Sequence, residues 1–268
     1  MSLHDAKEAS HSTPFQLEVT RALAAQLVLA VDELSVGGLY ERYGEPAFEE
    51  ITRFDGQPLP PNVPSHAVVP VWLGKSSDKL ELSGARILLS DFGEAFSPTK
   101  QQRFGSNTPL VVRPPESRFE PHKPLSFPSD IWSLGCSLWK IMGQNTLFGG
   151  CFATEDSITC EQVDTLGILP PEWWCKWEGR HGKFTEDGKP INRKYYRSWE
   201  DRFERSMQEP RQKRGMPLIE PAERDAIFKM LKAMLRFRPG DRPTAKQILE
   251  CEWMVKWALP EYEKMLSM

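Results

Sequence analysis

The chain has 268 residues, 40% of them hydrophobic and 26% charged, with a formal net charge of −3. That is the composition of a globular chain with one sizeable core, as a single domain or a domain with an appendage. The slightly negative balance excludes a general electrostatic attraction to nucleic acid or to anionic lipid.

The five cysteines, Cys136, Cys151, Cys160, Cys175 and Cys251, form no C-x-x-C pair, which fits a reduced intracellular protein. The opening "MSLHDAKEAS" lacks the basic-then-apolar order of a secretory signal. The longest apolar stretch, Ala22 to Val31, is interrupted by Gln26 and is too short to span a bilayer. The expectation is a soluble, intracellular protein of the cytoplasm, the nucleus or both, without a membrane partner.

In chain order, residues 1–14 read as a disordered N-terminus. Phe15 to about Val31, "FQLEVTRALAAQLVLAV", combines strong helix formers with apolar residues on nearly every face, so it predicts a helix buried on most sides. Residues 32–64 turn polar and end in "GQPLPPNVP", which predicts a long surface loop in preference to a P-x-x-P ligand. "AVVPVWL" (67–73) and "ARILLS" (85–90) are short β-branched and aliphatic runs that predict two strands of a small hairpin. From Ser129 as N-cap, "DIWSLGCSLWKIM" predicts a second helix apolar almost all round.

Residues 144–216 read as an irregular insert, its tryptophans packing on the core and its mixed-charge run Trp199–Arg214 forming a solvated face. From Pro221, the spacing of Ile227, Met230, Leu231, Met234 and Leu235 predicts a helix with one buried stripe. Thr244 followed by Gln247 forms a capping box for a last helix carrying Ile248, Leu249 and Trp253, and 260–268 reads as a tail. The fold class is therefore mainly α, in an α+β arrangement with one short hairpin.

The chemistry-bearing residues follow one another in a particular order: Asp91-Phe92-Gly93 after the second strand, Pro114-Pro115-Glu116, Asp130-x-Trp132-x-x-Gly135 on the buried helix, and Arg242-Pro243 between two helices. This order resembles the large (C-terminal) lobe of eukaryotic protein kinases over residues 15–259. The stretches "GEPAFEEITRFDGQPLPPNVP", "ILPPEWW" and "SWEDRFE" are similar to a fungal branch of SR-protein-kinase-like serine/threonine kinases.

The resemblance implies ATP-dependent phosphoryl transfer to protein serine or threonine, with ATP and Mg²⁺ as cofactors and an Arg/Ser-rich protein as substrate or partner. It makes Asp91 the metal-binding carboxylate, with Phe92 and Gly93 completing the nucleotide-side turn and 94–113 the activation segment. Glu116 and Arg242 become a structural pair, because a buried carboxylate and guanidinium are tolerable only when hydrogen-bonded to each other. Asp130 becomes the aspartate that holds the backbone of the catalytic loop.

That loop, H-R-D-x-x-x-x-N, is missing. The only asparagine ahead of Asp91 is Asn62, with Gln57 five positions before it. The preceding aspartates Asp5, Asp32, Asp55 and Asp78 are followed five positions on by Ser10, Gly37, Pro60 and Ser83. No G-x-G-x-x-G precedes Asp91, and the 14 residues ahead of Phe15 are too few for a small lobe. The expectation is a truncated lobe, inactive by itself and assigned no catalytic residue, or a catalytically dead lobe that serves as a binding or scaffold module. Without the loop, Asp130 is expected to be a buried unpaired carboxylate and the fold marginally stable.

Overall fold

The computed structural model describes residues 13–32, 48–68, 76–87, 92–149, 152–192 and 198–268. The first helix, α1 (Leu17–Asp32), begins near the expected position, and its Ala22, Leu23, Ala24, Ala25 and Val28 are buried. Burial on several faces suits a run of alanines and aliphatics with no polar stripe. Ahead of it, Thr13 and Pro14 are buried and the Thr13 carbonyl accepts the Ser77 hydroxyl at 2.6 Å, so the described end of the segment read as disordered packs on the fold.

Strand β1 (Phe48–Glu50) pairs antiparallel with β2 (His66–Val68), with Glu49 opposite Ala67. The hairpin thus exists but with a different partner: β1 lies within the predicted 32–64 loop, and β2 overlaps only the start of the predicted strand 67–73. Residues 69–75 and 88–90 lie outside the described residues. The described part of the other predicted strand, 85–87, is not in a sheet, because Gln26 of α1 takes the place of a strand partner. Its amide donates to Ala85 O at 2.5 Å and accepts from the Ile87 N–H at 3.0 Å. Between β1 and β2 the chain is solvent-exposed, and the Val63 N–H donates to Pro60 O at 3.0 Å, a turn incompatible with a continuous polyproline helix.

After a short helix α2 (Glu116–Phe119), α3 (Phe127–Met142) forms the centre of the molecule, with Trp132, Leu138, Trp139 and Met142 fully buried. It starts earlier than expected: Ser126 is the N-cap, and Ser129 lies within the first turn. Gly135 permits the close approach of the next long helix, since a Cβ there would lie 3.1 Å from Leu235 Cδ2 and 3.4 Å from Met234 Cβ.

Residues 144–216 are largely helical, contrary to the irregular insert expected. They carry α4 (Glu155–Leu166), α5 (Pro171–Lys176) and α6 (Trp199–Phe203), which runs through a π turn, Glu204–Gln208, into α7 (Glu209–Lys213). Phe119 of α2 stacks on Trp173 at 5.4 Å, and Trp174, Trp177 and Phe184 complete an aromatic cluster beneath them, so these rings pack as the sequence suggests. The charged run is not a solvated face throughout, because Arg202 and Arg211 are buried.

Helix α8 (Pro221–Met234) carries the expected stripe, with Ile227, Met230, Leu231, Met234 and the following Leu235 buried. Thr244 and Gln247 form the capping box of α9 (Ala245–Leu249), the Gln247 N–H donating to Thr244 Oγ1 at 3.3 Å. The presumed C-terminal tail is helical: a π turn, Met254–Ala258, leads into α10 (Leu259–Leu266), which packs along α1 with Met265 buried. No helix of the described residues is long and apolar enough to cross a membrane.

Charge ties α1 to this scaffold. Arg21 forks onto buried Glu223 of α8 at 2.9 and 2.7 Å, and the Trp253 indole donates to the same carboxylate at 3.2 Å. Nearby, Arg211 is fully buried and donates to Phe15 O at 3.0 Å, while its Nε and Nη1 have no partner among the described residues; burial pushes its guanidinium down to about 10.

The two buried groups predict opposite outcomes. Glu223→Ala strands the Arg21 guanidinium and the Trp253 indole and lowers unfolding free energy by about 3 kcal/mol. Arg211→Met removes a poorly satisfied buried cation and raises it by about 1 kcal/mol. Urea denaturation of the three proteins checks both signs.

Candidate functional site

The site is built around the N-terminal turns of α3. Glu116, first residue of α2, meets Arg242 from the loop ahead of α9, 126 positions away in sequence, in a bidentate fork of 2.8 and 2.7 Å. Arg242 is otherwise held by carbonyls: Nε donates to Arg236 O, Nη1 to Pro128 O and Nη2 to Phe237 O, at 2.8, 2.8 and 2.9 Å. Its guanidinium lies 5.1 Å from the Trp132 ring centroid. Ser129 donates to Glu116 Oε1 at 2.9 Å, so the foot of α3 enters the same network. The sequence pairs Glu116 with Arg242, but neither the carbonyl cage nor Ser129 had a signal in it.

Residues 94–113 form an ordered, largely non-helical segment fastened along α3. Arg103 O accepts the Leu125 N–H at 2.9 Å, Arg113 Nε donates to Thr108 O at 2.7 Å, and Val112 O accepts the Ser133 hydroxyl at 2.9 Å. Within the segment, Arg103 pairs with Glu94 at 2.9 Å and lies 5.2 Å from the Phe96 ring centroid, and Asn107 donates to the same Glu94 oxygen at 3.1 Å. Between this segment and α3 opens a cleft of about 630 Å³, with Glu94, Phe96, Arg103, Phe104, Asp130 and Ser133 in its walls.

Asp130 therefore stands apart from the Glu116–Arg242 pair, although it directly follows Ser129. Its carboxylate has no hydrogen-bond or ion-pair partner among the described residues, and desolvation by the cleft walls pushes its carboxyl above the ordinary value. Yet the residue is exposed. The open side governs its energetics, because water reaches the charge. The expectation of a buried unpaired carboxylate is corrected accordingly, and the marginal stability inferred from it loses its premise.

Asp91 lies outside the described residues. The backbone of Phe92–Glu94 forms one 3-10 turn, and Gly93 is exposed. The next carboxylate, Glu94, is already engaged by Arg103 and Asn107, and no group of three or more metal-ligating side chains occurs among the described residues. No protein-family model matches the chain, and comparison with curated proteins finds no match.

The geometry separates a buried carboxylate from an open one. Glu116→Ala leaves the Arg242 fork without its counter-charge and lowers unfolding free energy by about 3–5 kcal/mol. Asp130→Asn, at an exposed and unpaired position, changes it by less than about 0.5 kcal/mol. Chemical melts with matched circular dichroism spectra measure both.

Proposed function

We propose that this chain is a protein-kinase-like large lobe of the serine/threonine type that binds a protein partner in the cleft beside α3 and does not transfer phosphate by itself. The observation that carries this reading is the Glu116–Arg242 fork. It joins the Pro-Pro-Glu and Arg-Pro elements of the resemblance across the foot of the helix that carries Asp130, in the order the resemblance requires. The ordered segment 94–113, fastened along that helix, supports it as the surface on which a peptide lies.

Turnover is a separate matter. Phosphoryl transfer depends almost entirely on positioning and electrostatic stabilisation, by a phosphate cradle, a lysine, two metal-binding side chains and a proton acceptor. A general base alone contributes about 10²- to 10⁴-fold, so its loss would leave measurable activity if the other parts were in place. Here no H-R-D-x-x-x-x-N or G-x-G-x-x-G precedes Asp91, and Glu94 is committed to Arg103. One remaining aspartate holds neither nucleotide nor ion firmly, and the surviving function is recognition.

Pure protein of verified mass, incubated with γ-labelled ATP, Mg²⁺ and a basic serine-containing peptide, is expected to give the same background incorporation as Asp91→Asn. Titration calorimetry is expected to detect no stoichiometric binding of ATP. Label transfer that vanishes in Asp91→Asn, or tight one-to-one capture of ATP, overturns the reading.

A further inference from the structure

We infer that the C-terminal helix α10 and the strap of residues 76–87 form one latch on α1, which opens and closes as a unit while the rest of the fold stays intact. The inference is independent of the binding reading above and stands or falls without it. The two pieces lie far apart in sequence, yet a single side chain joins them. Gln26 of α1 donates to Ala85 O at 2.5 Å and to Met265 Sδ at 3.6 Å, and it accepts the Ile87 N–H at 3.0 Å. Its nitrogen also donates to Ala22 O at 3.0 Å, which keeps the amide close to its own helix.

Packing repeats the connection. Met265 of α10 shares a small apolar cluster with Leu82 and Ala85 of the strap and with Phe15, Val19 and Leu23, separate from the main core around Trp132 and Trp139. Helix α10 lies along α1 and also touches the strap turn Leu82–Gly84. Truncating Met265 would leave a void among these side chains, so the strap and the helix support each other.

The latch is lightly held. Met265 is the one buried residue of α10, whereas α3 buries ten. Glu261 of α10 reaches Arg21 only at 3.6 Å, because the short fork of Arg21 goes to Glu223, and Glu261 Oε2 is buried without a hydrogen-bond partner among the described residues. A hinge is in place as well. Met254 and Ala258 of the preceding π turn are fully buried in the main core, so firm anchorage ends where α10 begins. Few buried contacts and loose ion pairing mark an element that opens at a lower free energy than the whole fold.

Opening has a consequence downstream. Ile87 lies five positions ahead of Phe92, and its N–H is satisfied by the Gln26 side chain rather than by a sheet partner. Release of α10 therefore slackens the tether ahead of the turn Phe92–Glu94 and uncovers the apolar side of α1.

Native-state hydrogen exchange of the ¹⁵N-labelled full chain, followed by nuclear magnetic resonance at rising low urea concentrations, tests the latch. The amides of Ala85, Ile87 and Met265 are expected to exchange through one opening with a single shallow urea dependence, while that of Leu138 in α3 exchanges more slowly and with a steeper one. Met265→Ala is expected to accelerate Ala85 and Ile87 at least tenfold, by the same factor as the amides of α10. Gln26→Ala is expected to act in the other direction, accelerating the Met265 amide at least threefold.

An Ile87 rate unchanged in Met265→Ala, or strap and helix amides that differ more than threefold in their response, overturns the inference. Exchange of Ile87 and Met265 only together with Leu138 overturns it too, since the latch then has no opening of its own. Should Met265→Ala fail to fold, Gln26→Ala and the urea dependence of the unaltered chain carry the test.

Discussion

A guanidinium with a completely buried side chain must find acceptors for all of its N–H groups, and Arg242 does so. Five donors meet five acceptor contacts: two Glu116 oxygens and the carbonyls of Pro128, Arg236 and Phe237. Any one of these contacts is modest, but together they leave the residue a single position. The carbonyls belong to the first turn of α3 and the turn after α8, and the carboxylate belongs to α2. One side chain therefore fixes where three helices stand relative to one another, and Trp132 closes the face of the guanidinium. Arg211, equally buried, is the contrast: with two nitrogens unpartnered among the described residues, its charge is disfavoured, and it ties the chain ahead of α1 to α7 through a carbonyl rather than a counter-charge.

The cleft follows from how α3 divides its surface. Successive residues on a helix point about 100° apart, so neighbours can serve opposite environments. Ser129 turns inward to Glu116, Asp130 turns out to the cleft, and Ile131 and Trp132 return to the core. Ser133, one turn after Ser129, holds the segment 94–113 by its Val112 carbonyl. The buried fork fixes the foot of the helix, and the foot of the helix fixes the direction of Asp130. Gly135 completes the arrangement on the other side by letting α8 approach.

Long elements and special pairs were legible in the sequence, while short ones were not. The stripe of Ile227, Leu231 and Met234 dictates one buried face at helical spacing, and Thr244 with Gln247 announces a cap, so α8 and the start of α9 follow from local rules. The helices of 144–216 are short and start at caps of another composition: Ser157 donates its N–H to Thr154, and Asp201 to Ser198, with no Glu or Gln at the third position. Their stability comes from packing, as with Trp173 on Phe119, which no local pattern encodes. The hairpin register fails for the same reason, since Gln26, far away in sequence, satisfies the backbone of 85–87. Glu116 and Arg242 were legible as a pair because a buried charge of each sign needs the other. The openness of Asp130 was not, because exposure depends on what the segment 94–108 leaves uncovered.

That openness bears on whether the molecule recognises or reacts. Catalysis of group transfer requires charges aimed at where charge develops, held so that no reorganisation is needed at the moment of reaction. Here the rigid charges are spent on structure: Glu116 and Arg242 neutralise each other, and Glu94 is shared between Arg103 and Asn107. The carboxylate that remains uncommitted faces solvent on a fixed helix, beside an exposed ring. A fixed, water-accessible carboxylate of this kind loses little freedom when a charged group arrives beside it, which favours affinity. The rigidity conferred by Arg242 holds that carboxylate in place, which is what the receptor reading proposed above requires.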